Sequence, residues 1–259
     1  MGMHGLAPAS RRWRDAWRGF ARGIAAPLLA SCLLAAVPAG AGAGADAPPA
    51  RQENCGTSHL RIHYFHPVDR DHACEAWRRV SAFLLDGHGL RVTAPVELIF
   101  AERVELDFGP QRFRVLGHYD RMARIVRVTS MTADWLREPD RLMFRLPINE
   151  EMHTSVVAHE LAHAVLLDNF RVAHPGRACG EYLAYVVQLA TMEPGMRERV
   201  LAQYEEGDFA SLDNITEICH LMRPHEFGVR AYRHFAREGH GYMLELILSG
   251  GLQTDLPPM

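Results

Sequence analysis

The stretch from Asn149 to Leu167 constrains the fold of this chain more than any other. Asn149 is a good N-cap, and Glu150 and Glu151 follow in the first turn, where acidic side chains meet the positive end of a helix. Val156-Val157-Ala158, Leu161-Ala162 and Ala164-Val165-Leu166-Leu167 are apolar, so the predicted helix to Leu167 lies in the core. Into that apolar surround the sequence inserts His159, Glu160 and His163. Burying an imidazole pair and a carboxylate is costly unless they are hydrogen-bonded or bind a cation. Two histidines satisfied by hydrogen bonds in a core are the plainer alternative to a metal site.

His159 and His163 are four residues apart, which puts them on one helix face, one turn from each other. Imidazoles so placed can both reach one zinc ion, with Glu160 beside them to accept a proton from water. A zinc enzyme needs a third protein ligand and an open fourth position. Glu181, in Gly180-Glu181-Tyr182-Leu183-Ala184-Tyr185, is one carboxylate placed to serve. The intervening residues let the first helix end and a second begin. Asp168 is the alternative carboxylate, placed near the end of the first helix.

These residues resemble the gluzincins, in particular the peptidase MA-like and thermolysin-like aminopeptidase families. There H-E-x-x-H is followed by E-G-x-A-x-Y or a variant on a second packed helix. The third histidine of the metzincin pattern would fall at Asn169 and is absent. The resemblance implies a zincin-like α+β fold, one zinc ion held by His159, His163 and Glu181, Glu160 as general base, and peptide bonds as substrate. Tyr182 stands where many members have glycine. Aminopeptidase members also carry a tyrosine in Y-x-x-G that stabilises the oxyanion. The matching stretch here is His225-Glu226-Phe227-Gly228, which makes His225 the expected oxyanion donor, with Tyr232 as the other candidate. His225 also reads simply as a helix-start residue after Pro224.

The first 45 residues belong to a different physical class. Arg11, Arg12, Arg14, Arg18 and Arg22 precede an apolar run from Gly23 to Val37 and a small-residue tract to Ala45. That order is the pattern of a secretory signal peptide, cut near Ala43 or Ala45. The expected destination is the periplasm or extracellular space. The apolar run is shorter than the roughly 20 residues a spanning helix needs, so no integral membrane span is expected in the mature chain. Leu29-Ala30-Ser31-Cys32 resembles a lipobox, making a lipid anchor on Cys32 the alternative. Removing residues 1–45 takes away five arginines and one aspartate, moving the formal charge from −3 to −7. A mildly acidic chain without a basic stripe is a poor nucleic-acid binder, which leaves a peptide or protein as the expected partner. Cys55, Cys74, Cys179 and Cys219 remain, and an even count in an exported chain reads as two disulfides. Local pairing predicts Cys55–Cys74 and Cys179–Cys219. A cysteine zinc site lacks any C-x-x-C pair.

With 259 residues, 48% of them hydrophobic, one sizeable core is expected. After the leader (1–45), residues 46–140 read as an α/β part. Strands are expected at Leu60–Tyr64, Val96–Phe100, Arg112–Leu116 and Arg124–Thr129, and a helix at Cys74–Leu85. Residues 141–259 read as helical, with helices after the first near 180–192, 197–204, 227–237 and 242–248. The whole is α+β with a small twisted sheet. The strand at Arg124–Thr129 is the expected sheet edge against which an extended substrate pairs. Two other function classes fit the same residues: a zinc-stabilised binding protein without turnover, and a hydrolase of non-peptide acyl bonds.

Overall fold

Alternating burial along two short segments starts the sheet. Leu60, Ile62 and Tyr64 face the core from β2 (Leu60–Tyr64), as do Val96, Leu98 and Phe100 from β3 (Val96–Ala101). A computed structural model of the protein describes residues 51–108, 111–205 and 207–252, which fall in one compact unit, Ala47–Met259. The leader and the Cys32 alternative lie outside the described residues.

Five strands form a mixed sheet in the order β1 (Arg51–Glu53), β2, β3, β7 (Ile125–Thr129), β6 (Gly117–Asp120). β2, β3 and β7 run parallel, and β1 and β6 flank them antiparallel. The connection from β2 to β3 carries α1 (Pro67–Val80), continued by a wider π turn over Ser81–Asp86. A separate hairpin, β4 (Glu105–Phe108) with β5 (Gln111–Arg114), precedes β6. The expected α+β class with a small sheet is what the chain adopts. Two expectations about the sheet are corrected. The strand expected at 112–116 is a hairpin arm outside the main sheet. β7 is an interior strand, and the edge beside it is β6, which is too short to stand out by periodicity.

α2 (Glu150–Leu167) is capped as expected, with the Asn149 side chain accepting from the Met152 amide at 2.9 Å. Fourteen of its eighteen residues are buried, because α1 and β6–β7 cover one side and α3 (Arg177–Thr191) the other. Beyond α3 come α4 (Pro194–Leu201), α5 (Glu217–Met222), α6 (Pro224–Glu238) and α7 (His240–Leu248). α6 packs on α3 and closes the helical layer. Arg79 of α1 clamps the layers together through paired bonds to Glu151 at 2.7 and 3.0 Å. Glu151 also accepts the Glu193 amide at the start of α4. No helix among the described residues is long and apolar enough to cross a membrane.

Cys55 and Cys74 form a disulfide that ties the loop before β2 to α1. The expected Cys179–Cys219 bond is not formed. Cys179 is buried on α3 with its thiol 3.4 Å from the Leu252 carbonyl, whereas Cys219 is exposed on α5. The helix that carries each cysteine directs it to a different environment, which closeness in sequence does not reveal.

A buried polar seam joins α1 to α2 and β7. His72 Nδ1 and His153 Nδ1 lie 2.9 Å apart, and His153 Nε2 sits 2.8 Å from the Thr129 carbonyl oxygen. That carbonyl can only accept, so His153 donates from Nε2 and receives the His72 proton at Nδ1. Asp69, fully buried, accepts from Ser130 Oγ at 2.6 Å and from the Met131 amide at 2.9 Å. Burial holds both imidazoles below their ordinary values, outweighing the nearby carboxylates. An unfolded chain takes up these protons near pH 6.5, while the folded chain resists them to lower pH. The pair's contribution is therefore complete above about pH 6.5 and is lost as pH falls, at up to about 1.4 kcal/mol per pH unit per histidine. Urea unfolding of the metal-free protein at pH 7, 6 and 5 is expected to show this decline. The H72N/H153Q variant should show a flatter profile; an equally steep one would assign the decline to other groups.

Candidate metal centre

α2 and α3 cross so that three donors converge. His159 and His163, one turn apart on α2, bring their Nε2 atoms to 3.2 Å. Glu181, in the second turn of α3, places Oε2 3.5 Å from His159 Nε2 and 3.8 Å from His163 Nε2. Among the described residues, His159, His163 and Glu181 form a group that could hold a metal ion, their donor atoms all within 4.8 Å of one another. The three residues expected as ligands thus lie together in space.

The donor set fits zinc by a direct test. Ligands at about 2.0–2.1 Å around a tetrahedral ion stand about 3.4 Å from each other, close to the three separations observed. Two imidazoles and one carboxylate are also the chemistry that zinc accepts, with one position left over. The same triad could accept other divalent first-row ions, so the geometry restricts the metal without naming it.

Glu160 stands beside the triad without belonging to it. Its side chain lies against β6, where a Cβ on Gly117 would come within 2.6 Å of Glu160 Cγ. Glycine at 117 is therefore what makes room for the carboxylate. Burial pushes the Glu160 carboxyl up to about 7, with the Glu181 charge adding to the effect and His159 and the Tyr119 amide opposing it. Burial also acts to raise Glu181, but His163, His159 and His220 outweigh it and hold that carboxyl well below the usual range. Glu181 is thus ionised, the form a metal ligand needs. Burial holds His163 down at about 4. His159 is raised, because Glu181 and Glu160 overcome its burial.

These residues floor a cavity of about 660 Å³. One wall is the edge strand β6, with Gly117, His118 and Tyr119; the β4–β5 hairpin adds Leu106 and Asp107. The other wall comes from Phe170, Pro175 and Arg177, between α2 and α3.

Of the residues singled out from sequence, His225 is not in this cavity. It occupies the first turn of α6 with its ring 5.1 Å from Phe144, which packs in turn on Tyr185, the ring that borders the cavity. Tyr232, the other candidate, lies farther along α6, near the Arg197 guanidinium, and does not line the cavity either. Asp168 is also elsewhere: Arg124 grips it through two bonds, at 2.6 and 3.0 Å, and the Thr93 amide donates to it at 2.8 Å. Tyr182, in the position where many gluzincins have glycine, is fully buried and bonded through its hydroxyl to His234 Nδ1 at 2.8 Å.

Two histidines that sequence reasoning passed over do reach the site. His220 of α5 brings Nε2 to 3.5 Å from Glu181 Oε2, and His118 of β6 lines the cavity. Neither repeats a recognisable spacing with the α2 pair. Only the sequence count of 15 histidines hinted at more than two partners.

No curated protein and no solved structure matches the chain. Residues 60–256 match the model of DUF6639, a family of unknown function, and it is to that family that the chain belongs.

Proposed function

We propose that this protein is an exported zinc-dependent hydrolase of gluzincin type that cleaves peptide bonds. The observation that carries the reading is the convergence of His159, His163 and Glu181 beside a buried Glu160 in one open cavity. A structural zinc site requires ligands only, and a general base adjacent to it has a use only in turnover. Zinc held there supplies a Lewis acid that polarises a carbonyl and makes water more acidic.

The chain's own residues supply the rest. Glu160 accepts a proton from a water in the cavity and delivers it to the leaving nitrogen, a role that suits a buried carboxyl lining the cavity beside the donor triad. Its side chain fills the gap at Gly117. His220, which lines the cavity as His225 does not, is an imidazole available, with His118, to donate to a developing oxyanion. An extended peptide pairs with β6, the edge strand next to Glu160, and its side chains alternate toward the hairpin wall. Export is supported by the leader's residue order and by the Cys55–Cys74 bond.

The test is metal analysis of the purified mature chain together with a broad peptide-library digest. About one zinc per chain is expected, with cleavage lost to a chelator and restored by zinc. Zinc without cleavage of any peptide would remove the peptidase reading, and absence of metal affinity would remove the centre itself.

A further inference from the structure

Gln188 lies on α3, two turns beyond Glu181, and is fully buried. Its amide orientation follows from its neighbours. Ser155 Oγ donates to the Met152 carbonyl at 2.7 Å, which leaves its lone pairs facing a donor. Gln188 Nε2, at 3.1 Å, is that donor, with Met143 Sδ at 3.7 Å as its second contact. Nitrogen toward Ser155 turns Oε1 the other way. Ser155 and His159 are four residues apart on α2, so the residue one turn along the same face is the metal-site histidine.

Two atoms are then left over. Gln188 Oε1 and His159 Nδ1 are both buried without a hydrogen-bond partner, and the Ser155 contact sets Gln188 of α3 against the turn of α2 that leads to His159. One is an acceptor and the other is a donor in one tautomer of the ring. Buried polar atoms left unpaired are costly, so a complementary pair in adjoining positions closes when the ring is held. We infer that Gln188 is the positioning residue for the metal centre, receiving the His159 Nδ1 proton and so fixing the tautomer whose Nε2 lone pair faces Glu181 and His163. The inference rests on the metal-centre reading above. Gln188 does not touch substrate. It acts through His159, as the outer partners of ligating histidines do.

The test measures zinc affinity by competition with a chromophoric chelator, with the melting temperature of each metal-free protein as control. Q188L is expected to bind zinc about 10–100-fold more weakly than wild type. Q188E, which restores an acceptor, should keep wild-type affinity or exceed it. Zinc affinity of Q188L within twofold of wild type, or Q188E as weak as Q188L, would overturn the assignment while leaving the centre standing. Failure of wild type itself to bind zinc would instead overturn the centre. If Q188L does not fold, nitrogen-15 spectra of the zinc-loaded wild type decide: a protonated Nδ1 on His159 supports the assignment, and a protonated Nε2 sinks it.

Discussion

Replacing Glu160 with glutamine is expected to lower kcat/KM by about 10³-fold while zinc stays bound at one ion per chain. General acid–base catalysis by a positioned side chain contributes about 10²–10⁴-fold, and this reaction asks Glu160 to both take and return a proton. Glutamine has the same length and fits the same gap beside Gly117, where extra volume is not tolerated. What it loses is the ability to exchange a proton at neutral pH. The carboxylate also stands outside the donor triad, so removing its charge changes the ion's surroundings but not its ligands. The measurement pairs steady-state kinetics on a peptide that wild type cleaves with zinc stoichiometry by mass spectrometry. Residual activity above a tenth of wild type would show that another group moves the proton; loss of zinc would show that Glu160 is a ligand.

The contrast between the two halves of the centre shows what a linear sequence carries. His159, Glu160 and His163 share one helix, so their relative placement follows from helical geometry once the helix is recognised. Glu181 follows across one connection between two apolar helices, and it was legible because the gluzincin pattern places a carboxylate on the second of them. His220 and Gln188 were not. α5 is six residues long and exposes Ile218, Leu221 and Met222, so no apolar stripe announces that His220 faces inward. Gln188 reads as an ordinary helix residue until Ser155 and His159 are seen across from it. Boundaries failed for a different reason. Pro67, Pro194 and Pro224 each open a helix, because a residue without an amide proton fits the first turn, where that proton has no partner. Placing the start of the helix after α3 near 197 overlooked that Pro194 opens it. Apolar spacing alone placed the beginning of α1 at Cys74, past two turns whose Asp69 and His72 are buried by bonding to other elements rather than by being apolar.

Removing Glu181 is expected to have the largest effect on the metal. Zinc that binds only the folded chain stabilises it by about 2.7 kcal/mol at a free concentration 100 times Kd. For a domain of this size that raises Tm by roughly 5–10 °C. E181A should abolish most of that increase and weaken zinc affinity by about 10³-fold or more, because the two α2 imidazoles alone leave a tetrahedral ion half-coordinated. The metal-free protein should change less. Without Glu181, His159 and His220 lose the charge that favours their protonated forms, and neutral imidazoles in a buried site carry little desolvation cost. The competing ligand is His220, whose Nε2 stands 3.5 Å from Glu181 Oε2 and can turn toward the same ion. A scan of melting temperature against zinc therefore includes H220A. If Glu181 is the third ligand, H220A keeps the zinc-dependent rise and E181A loses it. The reverse pattern would move the third ligand from α3 to α5, and Glu181 would then be the partner that orients His220. Equal loss in both variants would make the centre a four-ligand one with no position open to substrate, which is incompatible with the proposed hydrolysis.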